Sequence, residues 1–334
     1  MDNIKRMQLH TPVVIFTFKR IDTTLQILKR IAQVKPKKLY IVSDYGRNEK
    51  EVEMVLKCRH EVEKAITWEC EVIKDYALEN RGVYKNIGEG ALKVFEKEEK
   101  AIFLEDDNLP EASFFAFCEE MLEKYESEER ILWICGTNYL GFLKDRTASY
   151  GFTKHMLPCG WASWGEKFIK YYDCNFSLLK DDKVRNEINN RFETRRLYRH
   201  YKMNWDNEIK RIEGGLLPSS WDYQMCLSIR ANDLLGILPY KNQIRNIGVD
   251  ENSTHLGNSM ENIMTRRFCG MSSYSLNYPI IHPEKIEVDT DQEAKLEKII
   301  VPPLYHRIKV RTVNFIKKIF KIGENESIRS ILFK

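Results

Sequence analysis

The chain has 334 residues, 43% hydrophobic and 31% charged, so it reads as globular and soluble with enough length for one large domain or two smaller ones. A formal net charge of +4 is too small to argue for a nucleic-acid partner. Eight cysteines are scattered with no CxxC spacing, which points to reduced, mostly buried thiols.

The first part alternates between strand and helix patterns. PVVIFTF (12–18) is a compact apolar strand, too short for a signal peptide and followed at once by Lys19 and Arg20. Asp22 is placed to cap a helix with Leu25, Leu28, Ile31 and Ala32 on one face. KLYIVS (38–43) is a second strand and 48–64 a charged amphipathic helix. TWECEVI (67–73) predicts a third strand with Trp68, Cys70 and Val72 inward. Residues 83–98 predict a helix, AIFL (101–104) a fourth strand, 112–126 a helix and ILWIC (131–135) a fifth strand. This rhythm predicts an α/β fold with an open, mostly parallel sheet and helices on both faces.

From 151 to about 265 the pattern is less regular, with loops, short strands and at least one helix expected. The expected organisation is a catalytic domain over 1–265, a connector over 266–300 whose charged part is 284–300, and a basic amphipathic helix over 301–334. No stretch approaches the ~18–20 apolar residues of a membrane span, and the expected compartment is the cytoplasm.

In open α/β sheets ligands bind at the carboxyl ends of the strands. Lys19-Arg20 follows the first strand, Asp44-Tyr45-Gly46 the second and Glu105-Asp106-Asp107 the fourth. These groups should share one sheet edge. Carboxylates there suit Mg²⁺ or Mn²⁺, and Arg20 suits phosphate oxygens, so the set fits a nucleoside diphosphate with a divalent cation. Asp44 is placed to accept from a base N–H. The competing reading is a solvated capping loop for the acidic triplet and a plain surface charge for Arg20.

AIFLEDDNLPEASFFAF (101–117) resembles the metal-binding segment of GT-A glycosyltransferases, nearest the N-acetylglucosaminyltransferase I type. Further similarities follow in order. Arg20 resembles a phosphate-contacting arginine, and Ser43-Asp44 a base-contacting loop. MLPCGWASW (156–164) resembles the glycine-containing loop of the donor-sugar pocket. SSWDYQM (219–225) resembles the Trp-Asp segment of the catalytic base. IRNIGVDENSTHLG (244–257) resembles a late loop ending in a His near the diphosphate. The wording of GWASW and NIGVDENSTH is also similar to bacterial enzymes of surface-polysaccharide assembly. The resemblance covers roughly 11–257. Tyr223 stands where that family has a second acidic residue, and 185–211 has no counterpart.

The resemblance implies an inverting single displacement from a nucleoside-diphosphate sugar, with UDP the expected nucleotide. Asp107 is then the metal ligand, with His255 as a second ligand or diphosphate contact. Asp106 meets the sugar hydroxyls, and Glu105 the ribose or the water shell of the metal. Asp222 is the base, or the cap of the helix that follows, or both. Gly160 and Trp161 line the pocket and Trp164 belongs to the core; all three also fit plain turn and core. The implied acceptor is a glycan or lipid-linked saccharide.

Two rivals remain. A sugar nucleotidyltransferase calls for a Gly-rich loop after strand one, where this chain has FKRID (18–22). A catalytically dead domain of the same fold, acting as a binding partner, need not keep the charged positions retained here. Residues 304–323 place Ile308, Phe315, Ile316, Ile319 and Phe320 on one helical face with Lys and Arg elsewhere. That helix either lies on a membrane surface, as a peripheral contact with the inner leaflet, or docks on the protein.

Overall fold

The computed structural model describes residues 8–249 and 269–320. Its strands are β1 (Val13–Thr17), β2 (Lys38–Ser43), β3 (Glu71–Tyr76), β4 (Lys100–Glu105), β5 (Asn108–Pro110), β6 (Ile131–Cys135), β7 (Tyr150–Thr153), β8 (Trp161–Trp164), β9 (Leu235–Pro239) and β10 (Ile244–Asn246). Eight of them form one sheet in the order β3-β2-β1-β4-β8-β6-β9-β7. The strands β3, β2, β1 and β4 run parallel. β8 enters antiparallel between β4 and β6, β9 lies parallel to β6, and β7 is antiparallel at the edge. The sheet is therefore mostly parallel, and β5 and β10 form a small antiparallel ribbon beside it.

Side chains alternate across a strand, so each central strand feeds two cores. Val13 and Ile15 pack with Ile27, Leu28, Val62 and Phe114 on the face covered by α1 (Ile21–Val34), α2 (Glu49–Ala65) and α4 (Ala112–Lys124). Val14 and Phe16 pack on the other face with Ile87, Phe168, Trp205 and Leu227. That burial on both sides is why the first strand is apolar from Val13 to Phe16.

The second face is covered by a π-helix (Tyr84–Glu89) that runs into α3 (Gly90–Phe95), then by α5 (Gly165–Tyr171), α7 (Arg195–Glu213) and α8 (Asp222–Ala231); the short α6 (Asp182–Glu187) leads into α7. The region after 151 is thus more helical than its sequence suggests. α7 buries Leu197, Tyr201, Trp205 and Glu208 in a body otherwise dense with charge, and the charge masks the stripe.

Three boundaries differ from expectation. α1 begins at Ile21, so Arg20 takes the cap position and Asp22 sits in the first turn. β3 starts at Glu71, and Trp68 lies in the preceding loop with its Nε1 donating to the Pro36 carbonyl at 3.1 Å. β3 is an edge strand with incomplete cover, so alternation carries little signal there. The charged segment 284–300 contains a docked helix: α9 (Thr290–Ile300) is capped by Asp289 and buries Leu296 and Ile300. α10 (Leu304–Ile319) follows it. Among the described residues no helix is long and apolar enough to cross a membrane.

Candidate active site

The carboxyl ends of β1, β2 and β4 open onto one cleft of about 200 Å³. Arg20, Asp44, Glu105, Asp106 and Asp107 all line it. The parallel pairing puts Phe16 opposite Glu105, so the turn after β1 faces the acidic turn after β4. Arg20 Nη1 donates to Asp107 Oδ2 at 3.1 Å and stands 3.7 Å from Asp106 Oδ1. The Phe18 amide donates to Asp106 Oδ2 at 3.3 Å. Burial holds Glu105 well above the usual carboxylate range; the charges of Asp107, Asp106 and Asp222 push the same way, and Arg20 opposes them.

Asp44 is held differently. Its Oδ1 accepts from the Tyr45 and Arg81 amides at 2.8 and 2.7 Å. Its Oδ2 accepts from Gly82 N at 3.0 Å and Asn80 Nδ2 at 3.1 Å. Four donors fill the acceptor capacity of a carboxylate. Asp44 therefore pins the loop 80–82 to the end of β2, which leaves little acceptor capacity for a base N–H. Buried Arg59 braces the same strand end, donating to the carbonyls of Ser43, Asp44 and Ala77.

Asp222 lies outside the cleft lining, yet its charge reaches Glu105. It is the first residue of α8 and accepts from Ser220 Oγ. Its position is set by aromatic packing. Trp221 lies 5.5 Å from Trp161 and 6.1 Å from Trp133, ring centre to ring centre, and Tyr172 Oη donates to the Trp221 carbonyl at 3.0 Å. The π-helix connects the two places. Asn86 and Ile87 line the cleft, while a Cβ on Gly88 would stand 3.2 Å from Trp221 Cβ.

Trp161 is not a pocket residue. It is 1% exposed and stacks between Phe103 at 3.9 Å and Trp133 at 4.2 Å. β8 is an inner strand, and its second face is filled by core. Trp164 is core as expected, its Nε1 donating to the Leu122 carbonyl at 2.9 Å. Gly160 likewise lies outside the cleft lining. It adopts a φ of +63° and abuts Ile244, so it shapes the turn into β8 behind the acidic cluster. His255 lies outside the described residues.

Sequence reasoning missed several cleft residues. The ribbon of β5 and β10 brings the segment after β10 over the acidic turn, and Ile247 N donates to the Asp107 carbonyl at 2.8 Å. Gly248 lies against the Arg20–Asp107 pair: a Cβ there would collide with Asp107 Oδ2 and stand 2.9 Å from Arg20 Nη1. Asn246 and Cys269 complete that wall. On the rim, Lys19 and Arg47 converge on Glu51, and Arg47 foremost holds its carboxyl well below the usual range. The one signal available was glycine in NIGVD, whose meaning depends on what packs against it.

No protein-family model matches this chain, and no curated protein matches its sequence. Among solved structures it is similar to the mannosyltransferase PcManGT from Pyrobaculum calidifontis in complex with GDP-Man and Mn²⁺, at 13% identity and TM-score 0.33 over 53% of this chain and 47% of that one. It is similar to glucosyl-3-phosphoglycerate synthase from Mycobacterium tuberculosis with Mn²⁺, UDP and glucosyl-3-phosphoglycerate, at 9% identity and TM-score 0.30 over 47% and 57% of the two chains. It is also similar to a UDP-glucose pyrophosphorylase complexed with UDP-glucose, at 10% identity and TM-score 0.36 over 71% and 93%. In the first two the match spans about half the other chain, and at these levels no residue correspondence is carried over.

Proposed function

We propose that the protein is a metal-dependent, inverting glycosyltransferase. Its donor is a nucleoside-diphosphate sugar, UDP-linked, and its acceptor a hydroxyl of a glycan or lipid-linked saccharide in bacterial surface-polysaccharide or glycoconjugate synthesis. One observation carries the reading: Arg20, Glu105, Asp106 and Asp107 meet in one cleft at the carboxyl ends of the parallel strands, with Arg20 paired to Asp107 at 3.1 Å.

The donor set fits Mn²⁺ or Mg²⁺. It offers hard carboxylate oxygens, and their combined negative charge already draws the Arg20 guanidinium onto Asp107 and Asp106. Asp107, with Asp106 beside it, would hold the cation. When bound, it supplies Lewis-acid stabilisation of the leaving diphosphate. Arg20 binds the phosphate oxygens through its planar fork. The loop 80–82, held by Asp44, forms the wall against which the nucleotide lies. Asp222 takes the proton of the acceptor hydroxyl as that oxygen attacks the anomeric carbon, a role worth about 10²–10⁴-fold. A single base and a direct attack invert the anomeric centre.

The acceptor proposal extends to the membrane. α10 and the residue after it leave Leu304, Tyr305, Ile308, Phe315, Ile319 and Phe320 exposed, a surface suited to the leaflet that carries a lipid-linked acceptor.

A panel of nucleotide sugars, with and without Mn²⁺, tests the reading. The expected result is release of a nucleoside diphosphate from one nucleotide sugar only when metal is present. Turnover of a nucleoside triphosphate with a sugar 1-phosphate would replace it with the nucleotidyltransferase reading. Binding without turnover of either would leave a non-catalytic domain.

A further inference from the structure

A second group of ligand-type side chains lies away from the cleft, where α9 meets the sheet edge. His155 follows β7, Glu193 precedes the cap of α7, and Glu293 is in the first turn of α9. One potential ligand atom from each lies within 4.8 Å of the others. The side chains of His155 and Glu293 are 0% and 1% exposed, and neither ring nitrogen of His155 has a hydrogen-bond partner. An unpartnered imidazole sealed from water is costly, and such a group calls for an explanation.

The geometry points to a structural cation site at His155, Glu193 and Glu293, of the kind Zn²⁺ occupies. His155 Nε2 and Glu293 Oε2 are 3.6 Å apart. That is too long for a hydrogen bond and close to the ~3.3 Å edge of a tetrahedron built on metal–ligand bonds of ~2.0–2.1 Å. Glu293 is oriented by other contacts: Thr153 Oγ1 donates to its Oε1 at 2.5 Å, and Lys154 N to its Oε2 at 3.1 Å. Bonds of this kind to the carboxylate of a ligand fix its direction. The side chain of Glu193 is 26% exposed, which gives the ion a way in and leaves the fourth position to water. Arg230 Nη1 donates to both Glu193 oxygens at 2.9 Å and offsets one of the two negative charges. An imidazole with two carboxylates suits Zn²⁺ or Mn²⁺ better than Mg²⁺. The ion would tie α9 to β7 and to the start of α7, and so fix the point from which α10 departs.

The test uses the full chain carrying Asp107→Asn, which weakens the cleft's own hold on metal, dialysed against Zn²⁺. The expected result is one retained equivalent with nitrogen and oxygen neighbours in its X-ray absorption spectrum, bound at least ~10-fold more weakly after His155→Gln or Glu293→Gln. No retained equivalent, sulfur neighbours from the free thiols, or indifference to both substitutions would overturn the site. Should both variants fail to fold, crystals of the unsubstituted chain soaked in Zn²⁺ decide it. Anomalous signal between His155 and Glu293 supports the site, and a water or an empty gap there removes it.

Discussion

The two halves of the sheet are built on different rules. β3, β2, β1 and β4 form a parallel run, each strand followed by its helix or a turn at one edge. β8, β6, β9 and β7 form a mixed run threaded by antiparallel strands and roofed by aromatic packing. The first half gathers Arg20, Asp44 and the acidic triplet because parallel strands all end on the same side. The second half delivers Asp222 from a helix whose place is set by Trp133, Trp161 and Trp221. A parallel run thus makes a binding edge from local sequence alone, whereas the second half needs its whole core to place one carboxylate.

The division predicts that donor binding and turnover separate. Asp222→Asn should lower kcat by about 10²–10⁴-fold while donor affinity, read by calorimetry with Mn²⁺, stays within about threefold. A donor affinity that falls in step with kcat would break the comparison, since both halves would then bind the nucleotide sugar. Trp161→Ala opens a cavity at the seam between the halves and should cost about 3–5 kcal/mol in denaturant unfolding. A cost under about 1 kcal/mol would mean that the stack does not join the halves as argued. Asp107→Asn should weaken Mn²⁺-dependent donor binding by about 10²–10³-fold, a loss of the order seen when one stabilising group is removed from a charge-stabilising site. Unchanged donor affinity would move the metal elsewhere.

The same division explains what the sequence makes legible. Apolar runs followed by polar residues mark β1, β2 and β4, and the strand-end rule then picks out Arg20, Asp44 and Glu105–Asp107 without coordinates. The rule says nothing about how a residue is used once there. Asp44 and Asp107 look alike in sequence, yet one is saturated by its own loop and the other faces an arginine. Trp161 reads equally as pocket or core, because only the pairing of β8 with both β4 and β6 shows that its face is covered. α9 hides behind its charge, and the closeness of Gly248 to Asp107 is a contact across 141 positions that no local pattern encodes.

Gly248→Ala tests that contact. Inserting a methyl against a packed neighbour typically costs about 1–3 kcal/mol, and here it falls on the Arg20–Asp107 pair. The donor Kd should rise roughly tenfold or more, with a loss of stability in denaturant unfolding no larger than that range. A large loss of stability with normal donor affinity would make the glycine structural only.

The smallest effect is expected furthest from the cleft. Truncation after residue 301, which keeps the buried Val301, removes α10, whose apolar residues Leu304, Ile308, Phe315 and Ile319 are each more than half exposed. It leaves α9 and its buried Leu296 and Ile300 in place. Turnover with a soluble acceptor should therefore stay within about twofold, because among the described residues none that lines the cleft is lost. Co-sedimentation with anionic vesicles should fall. Each Lys or Arg near such a surface contributes about 1 kcal/mol, screened by salt, and the removed segment carries Lys309, Arg311, Lys317, Lys318 and Lys321. Neutral vesicles should show a smaller difference between the two chains, since only the apolar contribution remains. Vesicle binding unchanged by the truncation would assign the apolar face to a protein contact. Loss of soluble-acceptor turnover would tie the tail to the second half of the sheet, where Asp222 is placed.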